Sequence, residues 1–356
     1  MIKNTGINNF LKLDSSIPVV DVRTPAEFAQ GHICGAHNIP LFNNEERVQV
    51  GTTYKQEGRE QAILLGFDLA GSKWSGFIKQ ALEIAPGKKI ALHCWRGGMR
   101  SGAMAWCLDL YGFEVYLLTG GYKHYRRRVL DTFAEKFNIR ILGGLTGCGK
   151  TKVLHQLKAL GEQVIDLEGL AQHQGSVFGS MNSMEQPSQE QFENKLAAEL
   201  GLLNRHQPVW IEDESIIIGK CAIPNALFHQ MRDASITVLK VSPGARVDAL
   251  LKEYGVLDKD FLKSCTQKIW KRLGPEQTKN AITAIDEDRM ADFIRTVLVY
   301  YDKTYSNGLT KRDQSKIVEI NGDGTDAPSN ARQIIAQQNK RASPPITLEN
   351  YIKPVN

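Results

Sequence analysis

Gly144-Leu145-Thr146-Gly147-Cys148-Gly149-Lys150-Thr151 decides how the second half of the chain folds. It satisfies Gly-x4-Gly-Lys-[Ser/Thr], and its flanks suit it. The apolar run Ile139-Arg140-Ile141-Leu142 predicts a strand before the loop, and the stretch through Leu160 predicts a helix after it. Glycines bare the backbone N–H groups of such a loop toward a phosphate chain. Lys150 neutralises the outer oxygens, and Thr151 supports a Mg²⁺ ion among them. Gly144, Gly147, Gly149, Lys150 and Thr151 are therefore the expected phosphate-binding residues. A glycine-rich turn with a surface lysine would not require a strand on one side and a helix on the other. Cys148 fills a variable position of the motif.

Outward from this loop the pattern alternates. Residues 163–167, 208–211 and 236–241 read as strands. Residues 188–205 read as a helix with Phe192, Leu196, Leu200 and Leu203 at helical spacing, and 245–305 read as helical. Strands alternating with helices predict a parallel α/β sheet. The apolar strand ending Ile211-Glu212-Asp213-Glu214 offers a metal-side carboxylate. Asp213 is the candidate, and which of residues 212–214 faces inward stays open. Asp166 is a weaker candidate. Arg246, after the strand ending Val241, is placed to reach phosphate. Residues 322–356, rich in Gly, Asn, Gln, Ser and Pro, are expected to form a loose tail.

The first half shows a second alternation. Val19, Val20 and Val22 predict a buried strand. Thr24-Pro25-Ala26-Glu27 predicts a capped helix start. Residues 45–65 read as mostly helical, 88–93 and 114–117 as strands. Ser101–Tyr111 reads as a helix whose apolar face carries Ala103, Trp106, Cys107 and Leu110. Cys94 follows the strand 88–93 and opens the loop Cys94-Trp95-Arg96-Gly97-Gly98-Met99-Arg100-Ser101. Beyond the carboxyl end of a parallel strand, backbone amides and a helix N-terminus lower a thiol pKa and attract anions. Arg96 and Arg100 add positive charge. Cys94, Arg96 and Arg100 are the expected catalytic residues.

Asp21-Val22-Arg23, Pro25, Glu27-Phe28, Gly31-His32-Ile33, Gly35-Ala36 and Asn38-Ile39-Pro40 resemble the entry motif of rhodanese domains, and residues 94–101 resemble their active loop. Rhodaneses carry sulfur, or a related chalcogen, on that cysteine. The arginine here stands six residues after the cysteine, one more than in simple rhodaneses, a spacing similar to that of dual-specificity phosphatases. A rhodanese-like domain (1–136) upstream of a P-loop domain with a helical extension (137–321) resembles the layout of the tRNA 2-selenouridine synthases. Segments 168–179 and 272–274 look like family segments, and Gly175–Gly179 is expected to line the substrate site. The resemblance implies a two-step exchange on tRNA with a wobble 2-thiouridine. Geranyl diphosphate alkylates the sulfur, and selenium from selenophosphate then replaces the S-geranyl group. The P-loop is assigned to geranyl diphosphate and Cys94 to selenium delivery, with Mg²⁺ as a helper and no tightly bound cofactor. The alternatives are an ATP-dependent tRNA sulfurtransferase or kinase, a nucleotide-gated tRNA-binding module, and a Cys-x5-Arg phosphatase.

Composition agrees with this class. The 356 residues are 42% hydrophobic and 23% charged, with a formal net charge of +5. That is enough for two cores, and the basic excess permits an anionic partner. Tyr122-Lys123-His124-Tyr125-Arg126-Arg127-Arg128 is the expected tRNA patch, with Lys123, Arg126, Arg127 and Arg128 on phosphates and the tyrosines stacking on bases. Lys263, Lys268, Lys271 and Arg272 form a second basic cluster. Six scattered cysteines show no CxxC pair. No apolar run of roughly 18 residues or more occurs, and no apolar leader follows Met1. The cytoplasm is the expected compartment.

Overall fold

In the computed structural model, which describes residues 1–174, 178 and 185–342, the chain forms two units. The first comprises Met1–Glu135, Gln186–Leu202 and Lys220–Pro224. The second comprises Lys136–Glu185, Leu203–Gly219 and residues from Asn225 onward.

Valine and apolar runs bounded by turns make the strands of the first unit. Its sheet is all parallel, in the order Ile2–Thr5, Glu114–Leu118, Lys89–His93, Val19–Asp21 and His37–Asn38. Val20, Val22, Ile90, Leu92 and Val115 are fully buried in its core. The Thr24 hydroxyl accepts from the Glu27 amide while the Glu27 carboxylate accepts from the Thr24 amide, so the expected capping box starts the helix Pro25–Gln30. Such a cap stabilises a helix start by about 1 kcal/mol. Two helices, Asn44–Gln56 and Arg59–Gly71, occupy the region read as mostly helical.

The second unit also has an all-parallel sheet, ordered Ile317–Asn321, Ser235–Lys240, Ile139–Gly144, Val209–Glu212 and Gln163–Ile165. The helix Lys150–Ala159 follows the central strand and buries Val153, Leu154 and Leu157. The helices Pro243–Tyr254, Lys259–Lys268, Pro275–Asp286 and Met290–Leu309 build a separate apolar core. Phe178 is buried in that core against Tyr254 and Phe293.

Three expectations need correction. The helix Gln189–Leu202 lies in the sequence range assigned to the second domain, yet it belongs to the first unit. Its Asn194 donates to the His32 carbonyl at 2.9 Å and to the Tyr122 hydroxyl at 2.8 Å, and its Gln191 accepts from the His32 amide at 2.8 Å. Residues 322–342 are not a loose tail throughout. The helix Ala327–Ala342 buries Ala331 and Ile334 against the sheet core, and the strand before it is a sheet edge. The helix read as 101–111 spans Met99–Leu110 and buries Met104, Ala105, Cys107 and Leu108, while Trp106 and Leu110 are 56% and 76% exposed.

Candidate functional site

Cys94 leaves the carboxyl end of strand Lys89–His93 and is 3% exposed. Its loop is folded against a second backbone turn. The Cys94 carbonyl accepts from the Tyr122 amide at 2.8 Å, and the Trp95 carbonyl accepts from the Lys123 amide at 2.9 Å. This close approach demands glycines. A Cβ at Gly97, where φ is +65°, would sit 2.6 Å from the Leu118 carbonyl oxygen, and one at Gly121 would collide with the Gly97 nitrogen and the Cys94 carbonyl.

The Ser101 hydroxyl donates to Cys94 Sγ at 3.1 Å from the first turn of the following helix. Burial alone would raise the thiol pKa. The Ser101 hydroxyl, the Ser101 and Gly98 amides and the Arg100 charge outweigh it, so the thiol lies below its ordinary value. The two arginines differ. Arg100 forks onto Glu27, at 2.6 and 3.2 Å, and is 15% exposed. Its charge is thus shared with the carboxylate of the capping box and is not free beside the thiol. Arg96 is exposed and has no ion pair among the described residues.

Beneath the loop Arg23 is buried, paired with Asp21 at 2.6 Å and donating to the Gly31 carbonyl at 2.6 Å. It lies 3.7 Å from the centre of the Tyr122 ring. The Asp21-Val22-Arg23 motif therefore braces the loop and does not face the thiol. His93, the residue before Cys94, is also buried, and burial pushes its imidazole down to about 4, so it is neutral at neutral pH.

In the second unit the glycine loop 144–151 walls a cavity of about 390 Å³. Gly144, Gly147, Gly149, Lys150 and Thr151 all line it. Gly147 and Gly149 both have φ of +82°, which a side chain would oppose. The Lys150 ammonium donates to the Gly144 carbonyl at 2.9 Å, and the Thr151 hydroxyl donates to Glu168 at 2.8 Å.

Among the three acids of the neighbouring strand end, Asp213 and Glu214 reach the cavity. Glu212 is buried behind them, accepts from the Glu168 amide at 2.9 Å, and is raised well above the usual carboxylate range by burial and nearby acids. Burial and the Glu168 charge push Glu214 up to about 8. Asp213 is held by Arg312 at 2.7 Å. Glu168, the first residue of the family-like segment 168–179, lines the cavity too, as do Tyr301 and Tyr305, which no sequence motif marks. The Tyr305 hydroxyl accepts from the Gly144 amide at 2.7 Å.

Two expected site residues stand back from the cavity. Asp166 caps the helix Leu167–Ala171 through the Gly169 amide and accepts His155 at 2.7 Å. Arg246 is 2% exposed. It donates to the Thr146 carbonyl at 2.8 Å and forks onto Asp302 at 2.6 and 2.9 Å, so it tethers the loop instead of reaching for phosphate. Gly175–Gly179, apart from Phe178, lies outside the described residues.

The expected tRNA patch is divided. Tyr122 and Tyr125 are buried and offer no stacking face. Arg126 pairs with Glu193 and donates to Asn194 at 2.6 Å, so it joins the helix Gln189–Leu202 to its own unit. Arg128 pairs with Glu135 at 2.7 Å. Lys123 and Arg127 are exposed, with no ion pair among the described residues. In the second cluster, Lys263 is paired with Asp260 and Asp286, each at 3.0 Å. No helix among the described residues is long and apolar enough to cross a membrane.

Comparison with known proteins agrees with this two-part arrangement. A rhodanese-like domain model matches residues 8–128, and a model described as the tRNA 2-selenouridine synthase AAA domain matches residues 137–262. The chain is 36% identical to a tRNA 2-selenouridine synthase of Hydrogenovibrio crunogenus over 85% of its length and 91% of the relative's. It is 37% identical to that of Marinobacter nauticus over 88% and 93%. The match to that of Nitrosomonas europaea is 42% identical over 67% of this chain and 63% of the relative. A lowered thiol on a rhodanese-type loop, a cavity walled by a P-loop motif and relatives matched across both units lead to one conclusion: the chain belongs to the tRNA 2-selenouridine synthase family.

Proposed function

We propose that the two units divide a two-step exchange at the wobble 2-thiouridine of tRNA, alkylation at the P-loop and selenium delivery at Cys94. The observation that carries this is the Cys94 setting: a buried thiol stabilised as thiolate by a hydroxyl and two amides, beside a helix N-terminus that suits an oxyanion. A phosphatase reading uses the same cradle but leaves the P-loop cavity without a task.

In the first step the base's sulfur attacks the geranyl C1. A C–S bond forms, the C–O bond breaks, and diphosphate leaves with the bonding pair. The loop amides and Lys150 stabilise that charge. The raised Glu168 and Glu214 carboxyls, crowded beside Thr151, fit a cation. Mg²⁺ is commonly held by one or two carboxylates together with substrate phosphates and water. Thr151, Glu168 and Glu214 would hold it. When bound it supplies charge to the leaving diphosphate.

In the second step the Cys94 thiolate forms a bond to C2 while the C2–S bond to the S-geranyl group breaks, and selenium from selenophosphate then forms a bond to C2 as the Cys94 thiolate departs with its bonding pair. Geranyl thiolate leaves with the bonding pair and takes a proton, and the phosphoryl group passes to water. No electron acceptor is needed. Alkylation makes the step feasible because a thiolate leaves far more readily than a thiocarbonyl sulfur. The Cys94 loop binds the oxygens of selenophosphate through its amides, with Arg96 and Arg100 as the nearby cations.

Nucleoside mass spectrometry of tRNA after each half-reaction tests the reading. Cys94→Ser should accumulate S-geranyl-2-thiouridine and stall. Lys150→Ala should lose S-geranylation. Selenouridine formed at the parent rate by Cys94→Ser, or normal geranylation by Lys150→Ala, would refute the division of labour.

A further inference from the structure

The first unit contains a second cavity, of about 450 Å³, with an almost wholly apolar wall. One side is the helix Met99–Leu110, which presents Met99, Gly102, Ala103 and Trp106 at the i, i+3, i+4, i+7 spacing of a single helix face. Tyr54 and Phe67, from the helices Asn44–Gln56 and Arg59–Gly71, line it as well. Met99, Trp106, Tyr54 and Phe67 are each more than half exposed. A concave cluster of exposed large apolar side chains marks a binding site more often than a packing fault. Gly102 keeps it open: a Cβ built there meets nothing within 4 Å.

Position and charge identify the occupant. Met99 and Arg100 of the wall directly follow the Cys94 loop, and the next residue, Ser101, donates to Cys94 Sγ at 3.1 Å. Thiol and cavity thus share the first turn of one helix. Arg100 is the one charged residue among the described lining residues, and it is already forked onto Glu27. Among the described residues the cavity offers neither a glycine loop nor a free cation for a diphosphate. It suits an alkyl chain that has already lost its diphosphate.

We propose that this cavity seats the geranyl chain of the S-geranyl-2-thiouridine base, holds C2 of that base toward Cys94, and retains the geranyl thiol after exchange. The proposal rests on the two-step reading above. It assigns the chain a binding site in the first unit, separate from the site where the geranyl donor is consumed.

The test uses the full chain and two variants, Gly102→Leu, which projects a branched side chain into the cavity, and Gly102→Ala, which removes the glycine but leaves most of the space. Leucine and alanine both favour a helix over glycine, so neither change opposes folding. Geraniol is the binding probe, read by the fluorescence of Trp74 and Trp106, which line the cavity. RNA stem-loops carrying S-geranyl- or S-methyl-2-thiouridine are the exchange substrates. Gly102→Leu should abolish the geraniol response and raise KM for the S-geranyl RNA at least ~10-fold. It should leave KM for the S-methyl RNA and the rate of S-geranylation from geranyl diphosphate at parent values, and Gly102→Ala should resemble the parent. Equal effects of Gly102→Leu on both RNAs, or loss of the geranylation step instead, would overturn the proposal while the two-step reading stands. If the parent inserts selenium into neither RNA, the two-step reading itself falls and the proposal with it.

Discussion

Removing the Ser101 hydroxyl measures how much of the Cys94 reactivity the loop creates. Ser101 is fully buried, and its Oγ donates to Cys94 Sγ at 3.1 Å and can also donate to the Gly98 carbonyl at 3.2 Å. Ser101→Ala deletes one oxygen and opens almost no space. A hydrogen bond to a charged group contributes about 1.5–3 kcal/mol, and each pKa unit is about 1.4 kcal/mol. The two loop amides and Arg100 remain, so the lower end applies, a rise of about one unit. The sign is fixed, because the lost donor favoured the thiolate and its removal favours the thiol. Ultraviolet thiolate absorbance against pH, taken as the difference between each chain and its Cys94→Ser counterpart, gives the midpoint directly. Selenium exchange should slow about tenfold at pH values below both midpoints and recover above the new one. Ser101→Thr, which keeps the hydroxyl, should restore both readings. An unmoved midpoint in Ser101→Ala, or a rate loss that persists at high pH, would show that Ser101 does not act through the thiolate.

Arg246→Ala should destabilise the second unit by about 2–3 kcal/mol in urea unfolding and raise KM for geranyl diphosphate more than it lowers kcat, because the Thr146 carbonyl loses its tether; Arg246→Lys should restore only part. Glu214 titrates at about 8 in the folded chain, well above its ordinary 4.5. The parent should therefore lose stability relative to Glu214→Gln as pH rises from about 4.5 to about 8, and then level off, by a few kcal/mol at most; parallel melting curves across that window would contradict the assignment. Charge removal at Lys123 and Arg127 should flatten the salt dependence of tRNA affinity, by somewhat under one unit of log–log slope for each phosphate left without its cation. Arg126→Ala should leave that slope alone and lower the stability of the first unit by about 1–3 kcal/mol, since its charge is spent on Glu193 and Asn194.

Backbone devices were the legible part of the sequence. The glycines of 144–149, the Thr24–Glu27 capping box and the strand–loop–helix around Cys94 each announce a local conformation, and each forms where expected. What a charge pairs with is not local. Arg100 meets Glu27 across 73 residues and Arg246 meets Asp302 across 56, so reading Arg100 as free charge beside the thiol, or Arg246 as reaching phosphate, overlooks a distant partner. The helix Gln189–Leu202 shows the same limit in apolar form. Phe192, Leu196 and Leu200 announce a buried face, but its unit is fixed by Gln191 and Asn194 on the backbone of His32, which periodicity cannot report. The edge strand Ile2–Thr5 is mostly exposed and carries no apolar run to reveal it.

The helix Met99–Leu110 carries more apolar surface than one core can use. Core burial needs Met104, Ala105 and Leu108, with Cys107 beside them. Reading a single apolar face chose Ala103, Trp106, Cys107 and Leu110, of which only Cys107 is buried. The error carries information. A helix with two apolar stripes either lies wholly inside a protein or presents its second stripe to something else. This one starts at a reactive thiol loop, so it cannot be covered on all sides and still admit a substrate. Its second stripe, Met99, Gly102, Ala103 and Trp106, is open and concave, and it begins within the loop that holds Cys94. Apolar residues in excess of the core, counted helix by helix beside a nucleophile, are thus the sequence-level trace of a binding wall, and here they point to the part of the substrate that the charged loop cannot recognise.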